Sequence, residues 1–382
     1  MMKEFIMNDR ERYIKNLLFE KTDRIPLVPG GGRESTRDNW LKQGLPPDQV
    51  QQYNEYAYRQ VGGKLPWPTG GSGFSVDFRM IPQFEEKILE EKDNSRIVQD
   101  WKGNICEIDK RFTVEYLRRA IDFVTRRWIK CPVENRKDWE DMKRRYNAND
   151  PKRLPADAAA LSQNLVDRDW VVKINVSGPF WQLREWVGFE GLCLLFYDDP
   201  GLAGDMIAFW ENHVSTLLKK TFKYFTPDSV HISEDMAYKC FSMISPDMAR
   251  KFLLPTWKRW GEIILGAGVP LYDCDSDGFI GELIPLWIEA GINVCDPIEV
   301  AAGNDIAAFR KQFGKNMAYH GGVDKRAMAK GGTIIEQEIE RLRPVIEDGG
   351  YIPSCDHGVP PDVSWPDYVH YVRCLAKATG WL

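Results

Sequence analysis

Seven short apolar runs in this sequence end in residues suited to holding a proton, a metal or a substrate. They close on Pro29-Gly-Gly-Gly-Arg33, Ser177-Gly-Pro-Phe180-Trp181, Ser233-Glu234-Asp235, Asp273-Cys274-Asp275-Ser-Asp277, Cys295-Asp296-Pro-Ile-Glu299, His320-Gly-Gly-Val-Asp324 and Cys355-Asp356-His357. Polar loops do not need a carboxylate or imidazole at nearly every such position. The chain has five histidines in all, so each one at such an end carries information. Glu299 and His320 form the sharpest pair, with 20 residues between them, the length of one helix and its loops. Carboxylate plus imidazole suits Zn²⁺, which in catalytic sites takes three protein ligands and keeps one position open. The third ligand is open among Asp273, Asp275, Asp277, Cys274 and Glu282; Asp273 is the working choice. The structural alternative is that Glu299 caps its loop and His320 bonds a backbone carbonyl.

Glu234 and Asp235 are adjacent carboxylates after one apolar run. Neighbours on an extended chain point to opposite sides, so one of the two faces a pocket, where it orients a hydroxyl or acts as general acid. Pairing with a nearby cation is the plain alternative. Arg33 and Arg37 suit a substrate carboxylate or, equally, a surface ion pair. The eight cysteines include no CxxC pair. In so long a chain they are expected to fill core space rather than form a disulfide scaffold.

These residues need elements to position them. From about residue 170 the pattern alternates strand and helix: a strand over Asp169–Val176, helices over Phe180–Phe196 and Gly201–Phe225, then strands at Asp228–Ser233, Pro270–Asp273, Asn293–Asp296, Asn316–His320 and Tyr351–Ser354. The intervening helices carry readable punctuation: Ser245 with Pro246 at a start, Gly291 and Gly314 at ends, and a last helix over Trp365–Ala378. Such alternation implies a parallel sheet. No GxGxxG follows a strand, so a dinucleotide-binding unit lacks its main support. The expected fold is α/β, a (β/α)8 TIM barrel with Ile25–Val28 as first strand and the site at the C-terminal strand ends. Residues 60–165 break the rhythm. The turns Asp93-Asn-Ser95 and Lys102-Gly-Asn104 mark an antiparallel β-meander, and helices are expected over Arg136–Tyr146 and Asp157–Leu165. The whole of 1–382 reads as one barrel domain with this region, and an N-terminal helical part, as its elaboration.

Composition narrows the function. Lys plus Arg is 51 and Asp plus Glu 56, a net charge of −5, which disfavours a nucleic-acid groove. At 43% apolar and 28% charged residues the chain has enough material for a core. No apolar run approaches 18 residues, so no membrane span is expected. The charged N-terminus is not a secretory signal, so a cytoplasmic protein is expected.

Taken together, Asp23-Arg-Ile-Pro26, Ser177-Gly-Pro-Phe-Trp181, Ser233-Glu-Asp-Met-Ala-Tyr-Lys239, Met243-Ile-Ser-Pro246, Asp275-Ser-Asp-Gly278, Glu289-Ala-Gly-Ile-Asn293, Pro297-Ile-Glu299 and His320-Gly-Gly-Val-Asp324 resemble the uroporphyrinogen decarboxylase superfamily, a (β/α)8-barrel group. The superfamily holds porphyrin decarboxylases and corrinoid-linked methyltransferases. The decarboxylases' Arg-Gln-Ala-Gly-Arg segment is replaced here by Gly31-Gly-Arg-Glu-Ser35. The His-x-Cys of the methylcobamide:thiol methyltransferases is replaced by Tyr272-Asp-Cys274. The nearest subgroup is the methyltransferase component of aromatic O-demethylases, whose zinc motif places a Glu and a His as Glu299 and His320 stand here. The resemblance implies zinc, and methyl transfer from a methoxylated, guaiacol-type aromatic to the Co(I) corrinoid of a partner protein. It further implies pocket walls at Phe180, Trp181, Tyr238 and Tyr272, with Arg33 at the substrate, and contact of Glu234, Asp235 or His231 with a phenol hydroxyl. Asp275 joins these three as a catalytic candidate. A homodimer is the expected assembly.

Overall fold

The computed structural model describes residues 7–68, 70–119 and 125–382. Two sheets organise it. Strands β1 (Lys87–Glu91), β2 (Ser95–Gln99), β3 (Ile105–Asp109) and β4 (Arg126–Lys130) form an antiparallel meander in that order. Its two tight connections fall at the expected turns. The meander has a small apolar cluster of its own, built on Val98, Cys106, Ile108 and Leu117.

The second sheet is parallel and holds β5 (Lys173–Ser177), β6 (Ser229–Ser233), β7 (Leu271–Asp275), β8 (Val294–Asp296), β9 (Ala318–Val323) and β10 (Tyr351–Cys355), each beside the next in sequence. A helix returns the chain between one strand and the next, as in a TIM-type barrel. The expected first strand at Ile25–Val28 is not a regular one. The chain there still runs along β10: Cys355 N–H donates to Pro29 O at 3.3 Å, and Gly32 bridges Val359 in parallel. Pro26 and Pro29 have no N–H to give, so a full ladder cannot form.

Strand alternation sorts the side chains. Ile174, Val176, Val230, Ile232, Tyr272, Cys274, Cys295 and Tyr319 are buried in the main core. The opposite parity, Lys173, Asn175, His231, Asp273, Asp275, Asp296 and His320, is polar and faces the lumen. The helix Asp9–Leu17, capped by Asn8 accepting from Glu11 N–H at 2.8 Å, closes the N-terminal end of the strands. Its Tyr13 and Leu17 pack on Leu271, Val294, Ala318 and Ile352 at the strand starts.

Local punctuation accounts for most boundaries. Ser245 accepts from Met248 N–H and begins Pro246–Phe252; Ser364 accepts from Asp367 N–H and begins Trp365–Ala378. The single helix expected over Phe180–Phe196 is two, Pro179–Val187 and Phe189–Asp198. Gly188 between them has φ 78°, and a Cβ there would meet Cys131 Sγ at 2.8 Å. Close approach of the β4 end to this corner therefore requires glycine and breaks the helix.

Candidate active site in the barrel lumen

The register pairs His231 with Asp273 across β6 and β7, and Asp275 with Asp296 across β7 and β8. His231 Nδ1 makes a close contact with Asp273 Oδ1. Its Nε2 lies 3.7 Å from Asp275 Oδ2, and its Nδ1 4.0 Å from Asp296 Oδ1. His320 Nδ1 is 3.6 Å from Asp296 Oδ2. Asp273 Oδ2 also accepts from Ser229 Oγ at 2.8 Å and from Lys173 Nζ at 3.3 Å. Burial alone would neutralise the His231 ring, but Asp273 outweighs it and holds the ring's pKa well above the ordinary value. Burial likewise opposes the Asp273 anion, and His231 with Lys173 reverses that, keeping its carboxyl well below the usual range. Burial pushes the Asp275 carboxyl up.

Two atoms in this layer are left over. Asp296 Oδ1 and His320 Nε2 are buried and have no hydrogen-bond partner. Buried polar atoms are normally partnered, so both mark space for something polar. His231, Asp273 and Asp296 each offer a ligand atom, and these lie within 4.8 Å of one another. Imidazole and carboxylate donors suit zinc, and a second imidazole beside them also suits manganese or iron. The residues present therefore fit a divalent cation. His231 and Lys173 supply the compensating positive charge otherwise.

A second polar layer lies above, at the rim. Arg184 donates to the Asp235 carboxylate at 2.8 Å and to its carbonyl at 3.0 Å, holding Asp235 at φ 38°. Burial raises the Asp235 carboxyl, against Arg184. His357 Nε2 lies 2.9 Å from Asp277 Oδ1. Burial works against its charge, yet Asp277 wins and raises the ring's pKa. His357 Nδ1 is buried without a partner. Asp235, Tyr238, Asp277 and Glu299 line a cavity of about 370 Å³.

Several expected site residues lie elsewhere than the spacing suggested. Glu299 and His320 have separate partners: Glu299 accepts from Gly278 N–H at 3.1 Å and Lys325 Nζ at 3.3 Å, while His320 Nδ1 lies beside Asp296. Among the described residues no group of three potential metal ligands contains both. The reason is local: β8 ends at Asp296, and Ile298 at φ 58° swings the chain so that Glu299 reaches the rim. Asp273 does belong to the cation-fitting group. Tyr272 is no pocket wall, because it is buried on the helix side and donates to Trp257 O at 3.1 Å. Phe180 is also fully enclosed. Trp181 stacks under Arg184, 4.1 Å from the guanidinium, on the wall of a separate groove of about 990 Å³ that extends to β4. Tyr238 is 74% exposed on the rim cavity. Arg33 packs against Gly358 beside the last strand end.

Glu234 is 0% exposed. It accepts from Phe180 N–H at 3.0 Å, Trp181 N–H at 3.2 Å and Trp257 Nε1 at 2.6 Å, so it caps the helix Pro179–Val187 rather than meeting substrate. Burial pushes its carboxyl up to about 8, against those donors. Glutamate is seated so closely that a Cβ on Gly178 would fall 2.1 Å from its Cδ. Asp235, and not Glu234, is the member of the pair that faces a pocket. Lys173, Asp296 and the His357–Asp277 pair were not singled out as working groups. Parity along β5 and β8 was the available signal, but it needed a register that the sequence does not carry.

Residues 110–377 match the family model described as uroporphyrinogen decarboxylase (URO-D). No curated protein matches the chain by sequence. Among solved structures it is similar to a methyltransferase from Methanosarcina mazei, with a TM-score of 0.59 and 13% identity, over 97% of this chain and 99% of the other. A B12-independent methionine synthase from Shewanella sp. W3-18-1 aligns at a TM-score of 0.41 and 11% identity, over 92% and 96% of the two chains.

Proposed function

Because the chain belongs to the uroporphyrinogen decarboxylase family, we propose that it is an enzyme of that family's methyl-transferring branch, moving a methyl group from a methoxylated aromatic to the Co(I) corrinoid of a separate partner protein. The observation that carries the proposal is the lumen layer: His231, Asp273 and Asp296 grouped around one point, with Asp296 Oδ1 and His320 Nε2 left without partners beside it. These residues would hold a divalent cation, zinc by its donor set. When bound, it supplies Lewis acidity toward an ether oxygen.

The chain's own residues supply the rest. An aryl ether resists cleavage because phenolate leaves poorly, and a proton placed on that oxygen lowers the barrier. His357 is suited to deliver it, being kept basic by Asp277 while its Nδ1 has no competing acceptor. Asp235 and Asp277 on the rim cavity suit a hydroxyl next to the ether, and Tyr238 offers an aromatic wall. Arg184 fixes Asp235 in place.

Two other family activities are less well supported. A decarboxylase acting on a polyanion needs cations free to bind it, whereas Arg184 and Lys325 are already paired with Asp235 and Glu299. A thiol methyltransferase needs thiolate ligands, whereas the lumen parity of β7 presents Asp273 and Asp275 and turns Cys274 into the core.

The test is to mix the protein with a Co(I) corrinoid protein and a panel of methoxylated aromatics, following loss of Co(I) absorbance and release of the phenol. Turnover by the wild type, with loss of both zinc and turnover in Asp296→Ala, is expected. No turnover on a broad panel by a zinc-loaded protein would refute the methyl-transfer assignment.

A further inference from the structure

A second group of metal-ligating side chains lies away from the lumen, on the outer wall of the fold. Glu336 sits on the helix Gly332–Asp348, and His370 and Cys374 on the C-terminal helix Trp365–Ala378 that packs beside it. His370 and Cys374 are four residues apart, so they project from one face on successive turns. His370 Nε2 lies 3.4 Å from Glu336 Oε1 and 3.7 Å from Cys374 Sγ. All three ligand atoms fall within 4.8 Å of one another.

These separations can be set against what a metal requires. Tetrahedral zinc, bound at about 2.0–2.1 Å by nitrogen and oxygen and about 2.3 Å by sulfur, puts its nitrogen and oxygen ligands about 3.3 Å apart and its nitrogen and sulfur about 3.6 Å apart. The observed spacings are within about 0.1 Å of both. A plain imidazole–carboxylate hydrogen bond would be shorter than 3.4 Å, whereas the 3.7 Å His370–Cys374 contact is also within reach of a weak sulfur hydrogen bond.

We propose that Glu336, His370 and Cys374 form a second divalent transition-metal site, of the zinc class, with water in the fourth position. Imidazole, carboxylate and thiolate in one set disfavour Mg²⁺ and Ca²⁺, which take oxygen ligands. Three protein ligands at a partly exposed place give an exchangeable site rather than a closed structural one. Metal binding requires the Cys374 thiolate, so uptake displaces a proton. Burial, with Glu336, raises the Cys374 thiol's pKa, and Lys377 and Arg373 on its own helix only offset that, so the metal ion itself has to displace the proton. The assignment is independent of the lumen chemistry.

The experiment is a Co²⁺ titration of the metal-stripped full-length protein near pH 8, read by the near-ultraviolet thiolate-to-cobalt band. The lumen layer has no sulfur ligand, so that band reports only thiolate sites. The band is expected in the wild type, absent in Cys374→Ser, weakened at least about tenfold in affinity in His370→Ala and in Glu336→Gln, and retained in Cys240→Ser. Zn²⁺ should bleach it and should slow alkylation of Cys374 in the wild type. Circular dichroism of each variant checks that it is folded. No thiolate band in the wild type, or a band that survives Cys374→Ser, would overturn the assignment.

Discussion

Glu234 provides a direct test of how burial and hydrogen bonding compete. The perturbation is Glu234→Gln, which keeps the shape and removes the titration. In the wild type the carboxyl is fully enclosed, and burial lifts its pKa from 4.5 to about 8. A raised acid binds its proton more tightly in the folded than in the unfolded chain. Its contribution is therefore complete below about 4.5 and is lost as pH rises toward 8. One pH unit in that window is worth up to about 1.4 kcal/mol, so the whole span is about 4–5 kcal/mol as an upper bound. The three donors, Phe180 N–H, Trp181 N–H and Trp257 Nε1, favour the anion, and the value of about 8 is what burial leaves after their opposition. The assay is urea unfolding of both proteins at pH 5, 6, 7 and 8. The stability of the wild type relative to Glu234→Gln should fall steadily across the series. A difference that is constant with pH would refute the reasoning and show that the three donors hold an ordinary carboxylate despite its burial.

Other outcomes follow from the same geometry. Gly178→Ala should destabilise by about 2–3 kcal/mol through overpacking against Glu234, measured as a lowered urea midpoint with unchanged slope. Gly321→Ala should be worse: φ is +103° and the new Cβ would lie 2.0 Å from Pro297 O, so a loss above about 2 kcal/mol or insoluble expression is expected. His357→Gln should remove a stabilising term that is present below about pH 6.5 and fades as pH rises through the ring's raised pKa; paired melting curves at pH 6 and pH 9 should differ more at the lower pH. Arg184→Met should leave the fold stable to within about 1 kcal/mol, since the pair with Asp235 is partly exposed, but should raise KM for the aromatic substrate; unchanged kinetics would remove Asp235 from the site.

Much of the fold was legible because its punctuation is local. Ser245-Pro246, Gly314 and the run Trp365–Ala378 need no tertiary information, and the observed elements begin or end there. The two meander turns are equally local. The Phe180–Phe196 helix was misread because its break depends on Cys131, a residue distant in sequence, crowding Gly188. The site was legible only as a set of strand ends. Which parity faces inward on β7, and so whether Asp273 and Asp275 or Tyr272 and Cys274 serve the lumen, depends on register with β6 and β8. The spacing of Glu299 and His320 correctly implied neighbouring strands. It could not show that the chain after Asp296 turns away, leaving Asp296 itself beside His320.

The helix Asp9–Leu17 stoppers the floor of the strands, with Tyr13 and Leu17 wedged beneath them. The cavity lined by Asp235, Asp277 and Glu299 lies at the other end of the strands. A small molecule that reaches His231 and Asp296 from that side passes the rim where Asp235, Asp277 and His357 stand, and a macromolecule that takes something from it there covers the same opening. If both use that opening, entry and hand-over are separated in time: the small molecule is seated first, the large one lands on top, and its departure uncorks the product. Steady-state kinetics of such a vessel should show compulsory order, with excess macromolecular partner inhibiting by corking the empty chamber.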